Sequence, residues 1–392
     1  MRARKYIGNS LSSRHGKGYD VRVHPKLRTI LSAVNSVIGC GLFKISFSVT
    51  YLCNLKCKNC NIWCKYQESP EKIAEELEPN EYIKIFSKLP KSLSIIEFTG
   101  GEPFLKKDFD EIIIWALRLL RPYRIYIPTN GFLTKRIENV VRKVLSSDEW
   151  KKSTSELIIG TSIDGFKEIH DYLRGVQGAY HRAWKTFDTL WEMSQTEPRL
   201  KCFVSTTLFN DNLRGGEVFK FIRALQNKHI PYGLNNCNYS EYYNLRQSEW
   251  CRLDALTFIK TIKKEIIPNY ASNISSKYYW YKAIEFLENP RKLVLPCPAL
   301  KMFCAVDPYG NVWPCLMWPR TIANLRYYNY DIEDLYRANR DEVGKIARLI
   351  NDRRCPNCWT PCTSGQRILY TLLSRPWKLL NDVVIMSIMV DR

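Results

Sequence analysis

The chain has 392 residues, 45% apolar and 25% charged, enough for one large domain plus a smaller one around a real core. Its formal charge of +20 would attract anions such as acidic lipid, phosphate-bearing substrates or nucleic acid, or would simply solvate a lysine-rich surface. Residues 1–20 lack the apolar core of a secretory signal, and the apolar runs Thr29–Phe43 and Leu379–Val390 fall short of the roughly 20 residues of a membrane span.

These bounds predict a cytoplasmic protein. There the 14 cysteines stay reduced, and clustered spacing points to metal rather than to disulfides. Residues 1–43 read as a basic leader followed by an amphipathic helix. From Lys44 the pattern turns to strand–loop–helix units. Strands are predicted at Ile45–Val49, Ser94–Phe98, Arg124–Ile127, Leu157–Thr161 and Lys201–Leu208, and a sixth near Ile230–Asn235. Helices are predicted from Pro79 to Leu89 and from an Asp108 cap to about Leu120. This alternation predicts an α/β fold with a parallel sheet closed into a partial barrel of six β/α units, in which chemistry gathers at the C-terminal strand ends. Each unusual turn lies at such an end: the Cys53–Cys60 loop, Gly100-Gly101-Glu102-Pro103, Thr129-Asn130-Gly131 and Ser162-Ile163-Asp164-Gly165.

A tyrosine- and charge-rich helical connector, 237–295, leads to a second cysteine set: Cys297, Cys304 and Cys315, then Cys355, Cys358 and Cys362. The turn Asp307-Pro308-Tyr309-Gly310-Asn311 predicts a hairpin of Phe303–Val306 against Val312–Trp313, bringing Cys297 near Cys315. Cys304 falls on a hairpin strand and reads as core. Cys40, Cys202, Cys237 and Cys251 are scattered and read as small buried hydrophobes.

Cys53, Cys57 and Cys60, spaced four and three apart, let one loop wrap a single inorganic centre. Three thiolates are one short of a closed tetrahedral zinc site or a saturated iron–sulfur cube. Cys64 could supply a fourth zinc ligand; otherwise it is a free thiol.

Cys-x3-Cys-x2-Cys after the first barrel strand, followed by Gly-Gly-Glu-Pro and Ser-Ile-Asp-Gly in order, resembles the radical S-adenosylmethionine (radical SAM) enzymes over residues 44–235. The second cysteine set resembles the SPASM or shorter twitch extension of that family, over 296–365, with 366–392 as an amphipathic tail and 44–236 as the core. The resemblance implies that Cys53, Cys57 and Cys60 hold a [4Fe-4S] cluster whose open iron binds S-adenosylmethionine. Reductive cleavage then yields a 5′-deoxyadenosyl radical that abstracts hydrogen from an unactivated C–H bond. It further implies that Gly100, Gly101 and Glu102 receive the methionine amino group, that Arg174 in His-Asp-Tyr-Leu-Arg-Gly pairs with its carboxylate, and that Asn130 and Ser162 lie near the ribose. A second, auxiliary [4Fe-4S] cluster would take four of Cys297, Cys315, Cys355, Cys358 and Cys362, with Cys355 or Cys358 expected as the spare; zinc fits the same spacing. An external one-electron reductant, ferredoxin- or flavodoxin-like, is implied as well.

Thr206, Thr207 and Asn210 are candidate substrate or adenosine contacts, and the Tyr278–Tyr281 run could line an entrance. The basic charge and two short amphipathic segments, Leu27–Phe43 and Leu372–Val390, would suit peripheral docking on an anionic membrane. That pairing favours a lipid-, glycan- or other small-molecule substrate, with a peptide- or protein-modifying maturase as the alternative. A zinc-dependent nucleic-acid binder is the remote alternative. Nucleic acid is not an expected partner, because no stretch interleaves arginine and aromatic residues at a groove-reading spacing.

Overall fold

The structure, a computed structural model, describes residues 25–38, 41–91, 93–237, 240–243, 255–271, 273–290, 292–356 and 358–382. The first part of the leader, the end of the tail, Cys40 and Cys251 lie outside them.

Nine strands form one sheet in the order β6-β5-β4-β3-β2-β1-β7-β8-β9. They are β1 (Lys44–Thr50), β2 (Ile95–Gly100), β3 (Arg124–Thr129), β4 (Glu156–Ser162), β5 (Leu200–Leu208), β6 (Tyr232–Asn236), β7 (Phe303–Val306), β8 (Asn311–Trp313) and β9 (Ala323–Asn324). Strands β1 to β6 pair in sequence order and in parallel, forming the partial barrel. The longer helices that position the site are α1 (Pro25–Ile38), α2 (Pro79–Lys88), α3 (Phe109–Leu119), α4 (Thr134–Ser146), α5 (Lys167–Arg174), α6 (Ala179–Thr196), α7 (Glu217–Asn227), α8 (Ile274–Glu288) and α9 (Pro361–Ser374). Glu78 and Glu81 make a reciprocal capping box that starts α2.

Parallel strands covered on both faces usually read as continuous apolar runs. Here β1 is buried along its whole length yet alternates Lys-Ile-Ser-Phe-Ser-Val-Thr. Ile45, Phe47 and Val49 enter the core beneath the helices, where Phe47 meets Tyr82, Phe86 and Phe98. Each such side chain contributes about 1.5–3 kcal/mol by leaving water. Ser46 and Ser48 turn the other way and bond to Glu97 (2.6 Å) and Tyr242 (2.9 Å). The barrel interior is therefore polar, a lining suited to a ligand rather than to packing.

The predicted hairpin is present: Ala305 pairs with Trp313 and Val306 with Val312. Its first strand, β7, also pairs in parallel with β1, so the extension continues the barrel's own sheet. Asp307 holds the turn by accepting from the N–H groups of Tyr309 and Asn311, and Gly310 takes the left-handed conformation there (φ 88°). Helix α1 packs against α9 and leaves Ile30, Leu31, Val34 and Ile38 exposed, with Leu372 exposed on α9 and Trp377 and Leu380 on the helical segment that follows it. No described helix is long and apolar enough to cross a membrane.

Candidate active site

A cavity of about 510 Å³ opens over the C-terminal ends of β1 to β6 and runs down the barrel interior. Cys53, Cys57, Cys60, Gly100, Gly101, Asn130, Ser162 and Arg174 all line it. The four strand-end motifs converge because a parallel sheet delivers every strand's C-terminus to one rim.

The cysteine loop is fixed from three sides. From β2, the N–H groups of Gly101 and Glu102 donate to the carbonyls of Thr50 (2.8 Å) and Leu52 (2.7 Å). A side chain at Gly100 would strike the Thr50 carbonyl and one at Gly101 the Leu52 carbonyl. The glycines thus permit strand end to meet strand end. From α5, the carbonyls of Arg174 and Leu173 accept from Lys56 (3.1 Å) and Lys58 (2.9 Å), and a side chain at Gly175 (φ 66°) would strike the Lys56 carbonyl. From β3, the Asn130 amide donates to Asn54 Oδ1 (2.9 Å) and lies 3.9 Å from Cys53 Sγ, while its own oxygen accepts from Phe132 N–H.

Two of the expected ligand contacts have partners within the protein. Glu102 is 1% exposed and absent from the cavity wall. Its carboxylate accepts from Thr129 Oγ1 and Asn130 N (both 2.8 Å) and from Phe104 N (3.3 Å), so it braces the β3 turn under the cysteine loop. Burial raises its carboxyl to about 7, against the opposing pull of those donors. Asn130 borders the cavity, but its amide is engaged by the loop rather than held free for a ribose.

Arg174 reaches the cavity with its guanidinium paired to Asp164 (2.7 Å) and 3.9 Å from Cys57 Sγ. Burial opposes its charge, yet Asp164 and Cys57 hold it firmly protonated. Its Nε, and the Asn54 side-chain nitrogen, are buried without a partner. Asp164 also accepts from Thr207 N–H, and its own N–H donates to His170 Nδ1 (3.1 Å). Burial lowers His170 to about 2, so it is a neutral acceptor here. Burial raises Cys53 to about 12 and raises Cys57 and Cys60 too, and Cys57 further raises both of its neighbours. Three mutually interacting thiols beside a guanidinium with an unspent donor fit a centre that accepts thiolates and an anionic ligand together. Among the described residues no three Cys, His, Asp or Glu side chains are drawn tightly enough to hold one bare ion; the sulfurs border open space instead.

The second cysteine set divides. Cys297, Cys315, Cys355 and Cys358 line a small separate cavity of about 20 Å³ with Arg367. Arg367 is 1% exposed, donates to the carbonyls of Leu295 and Cys358, and forms no ion pair among the described residues. A buried unpaired cation calls for negative charge nearby, which four thiolates around an ion or cluster would supply. Cys362 lies on the wall of the main cavity, whereas Cys355 and Cys358, the expected spares, line the small cavity with Cys297 and Cys315. The cause is α9: it starts at Pro361, and its first turn carries Cys362 towards β1 and β2.

Cys304 is buried in the core as expected. Cys237 is disulfide-bonded, not a simple packing thiol. Thr207 lines the cavity, whereas Thr206 is buried and donates to Ile163 O (2.7 Å); Asn210 is off the wall. None of Tyr278–Tyr281 lines the cavity: Tyr279 bonds to Asn236 (2.6 Å) and stacks on Trp359, as packing. Lys44, Glu97, Tyr126, Phe203, Ser205 and Asn235 line it without having been singled out. All lie at inward positions of their strands, and the two-residue alternation carried that signal.

Residues 47–222 match the family model of the radical SAM superfamily. Members of that superfamily use a [4Fe-4S] cluster and S-adenosylmethionine. Among curated relatives, the antilisterial bacteriocin subtilosin biosynthesis protein AlbA of Bacillus subtilis is 22% identical over 73% of this chain and 58% of its own length. The sporulation killing factor maturation protein SkfB of the same organism is 29% identical over 43% of this chain and 36% of its own. The chain thus spans less than two thirds of these relatives. Among solved structures, anSMEcpe with bound AdoMet and the Cp18Cys peptide covers 87% of this chain and 99% of its own, with a TM-score of 0.53 at 14% identity. Streptococcus suis SuiB bound to the precursor peptide SuiA covers 85% and 74%, with a TM-score of 0.51 at 14% identity. At such identities the two structures speak for the fold alone.

Proposed function

We propose that this protein is a radical SAM enzyme that modifies a peptide or protein, with Cys53, Cys57 and Cys60 holding the SAM-binding cluster and Cys297, Cys315, Cys355 and Cys358 holding an auxiliary one. The observation that carries the reading is the convergence of three thiols and Arg174 on one cavity. When bound, the cluster and SAM supply a carbon radical able to abstract hydrogen from an unactivated C–H bond. The chain's own work is positional. Arg174 offers a cation to the SAM carboxylate, and the backbone at Gly100 and Gly101 borders the place of its amino group. Glu102 keeps the β3 turn under the loop, Ser162 faces the ribose side, and the enclosed barrel keeps water from a reactive carbon.

The peptide reading replaces the small-molecule one first drawn from charge and amphipathic segments. AlbA and SkfB are a bacteriocin biosynthesis protein and a killing-factor maturation protein, which supports a peptide substrate here. The cavity's charges also compensate each other, Lys44 with Glu97 and Arg174 with Asp164, which suits a neutral polar chain better than a phosphate. The one-electron donor would be ferredoxin- or flavodoxin-like. Peripheral membrane contact rests on the adjoining exposed apolar residues of α1 and α9.

The test is anaerobic reconstitution with iron and sulfide, then dithionite and SAM. The expected result is 5′-deoxyadenosine, abolished in Cys57→Ala, with about eight irons per chain for two cubes. No nucleoside from the reconstituted wild type overturns the reading. About four irons would leave the second quartet with zinc or nothing.

A further inference from the structure

At the end of the cavity away from the cysteine loop, three chemically active groups meet that the proposed reaction does not use. Lys44, at the start of β1, and Glu97, on β2, are 6% and 2% exposed and form an ion pair at 2.8 Å. Lys44 also donates to the Cys362 carbonyl (3.1 Å), and Ser46 donates to Glu97 Oε2 (2.6 Å). Both short contacts to Glu97 thus fall on one oxygen. The other, Oε1, has only the Cys362 thiol in reach among the described residues, at 4.0 Å, too long for a strong bond. A buried carboxylate oxygen on a cavity wall without a close donor is set to accept one from a ligand.

We propose that Lys44, Glu97 and Cys362 form a substrate-recognition subsite for a neutral hydrogen-bonding group, such as a peptide amide, and that Cys362 is a free thiol of that subsite and not a cluster ligand. The inference deepens the peptide-modifying reading and rests on it. Charge supports it: Lys44 cancels Glu97, so the subsite offers an acceptor without net charge, and a free carboxylate or phosphate would meet Glu97 unfavourably. Distance supports it too. Glu97 lies four residues below Gly101, roughly 13 Å at about 3.3 Å per residue. A substrate touching both the reacting rim and this subsite must therefore be long, about four residues of extended peptide. Neighbouring Tyr126 and Phe203, ring planes 19° apart, provide an apolar wall beside it.

The test has two readouts that need no turnover. In reconstituted protein, Cys362→Ala and Cys362→Ser are expected to keep wild-type iron and sulfide, whereas Cys358→Ala loses the auxiliary centre. Loss of iron on both Cys362 changes overturns the assignment. Mass-spectrometric alkylation of the holoprotein reads the subsite. Cys362 should react with neutral iodoacetamide several-fold faster than with anionic iodoacetate, after normalisation to glutathione. Glu97→Gln, which leaves Lys44 unbalanced, should reduce that preference to glutathione's or reverse it. An unlabelled Cys362, or a preference unchanged in Glu97→Gln, overturns the subsite. Failure of the wild type to make 5′-deoxyadenosine while both patterns hold would sink the functional reading alone.

Discussion

Arg174 has two jobs that can be separated by experiment. Its guanidinium neutralises Asp164, which is 1% exposed, and the side chain lines the cavity, with Nε buried and without a hydrogen-bond partner. Arg174→Ala strands the buried carboxylate with the Thr207 N–H as its remaining donor among the described residues, a loss of about 3–5 kcal/mol for breaking one side of a buried pair. The loop itself stays anchored, because Lys56 bonds to the backbone carbonyl of Arg174 and not to its side chain. Removing both charges in Asp164→Asn/Arg174→Met should therefore restore most of the stability, while the charge-assisted contact to SAM stays lost. That contact is worth about 1.5–3 kcal/mol, or roughly 10- to 150-fold in affinity. Urea unfolding of the two variants and calorimetric SAM binding to the reconstituted proteins make the measurement. A double variant as unstable as Arg174→Ala refutes the ion-pair account. One that binds SAM like the wild type refutes the contact.

Three further outcomes follow from the geometry. Gly101→Ala places a methyl against the Leu52 and Tyr51 carbonyls, so β1 and β2 must part at the rim; SAM cleavage should fall at least tenfold while the far-UV spectrum is retained, and an unaltered rate counts against the close approach. Glu81 is held at about 2: burial alone would raise it, but Arg326, the Glu78 N–H and the Tyr330 hydroxyl prevail. A depressed carboxylate contributes stability that is complete above its ordinary 4.5 and lost as pH falls through about 2. Arg326→Ala, at an exposed arginine, should cost only about 0.5–1 kcal/mol at pH 7, with the deficit shrinking as pH falls from 4.5; a pH-independent deficit in urea midpoints argues against this pair joining the extension to the barrel. If α1 and α9 dock on membranes, the protein should co-sediment with anionic but not neutral vesicles, and Ile30→Ser/Trp377→Ser should abolish this; equal binding to both vesicle types rules out electrostatic docking.

Local chemistry carried far in this chain. The cysteine spacing, the Gly-Gly-Glu-Pro turn and the strand–helix alternation lie within short windows, so the partial barrel, its rim and the reactive loop were legible before any contact was known. So was the hairpin at Asp307–Asn311, since its turn is held by its own residues.

What windows cannot hold is the partner of each polar atom. Glu102 looks like a ligand contact in its motif, but the fold spends its carboxylate on Thr129 and Asn130. Arg174 finds Asp164 ten positions back through the turn into α5. Five thiols with suitable spacing give no sign of which stands apart. That depended on α9 starting at Pro361 and turning Cys362 away from the quartet, towards β1 and β2. Lys44 and Glu97, 53 positions apart, become a pair only because β1 and β2 lie side by side in parallel. The sequence by itself determined the barrel and the three-thiol loop, which follow from periodicity and nearest neighbours. The tertiary structure alone decided which acids, cations and sulfurs share a cavity, because burial and charge compensation belong to contacts between distant segments.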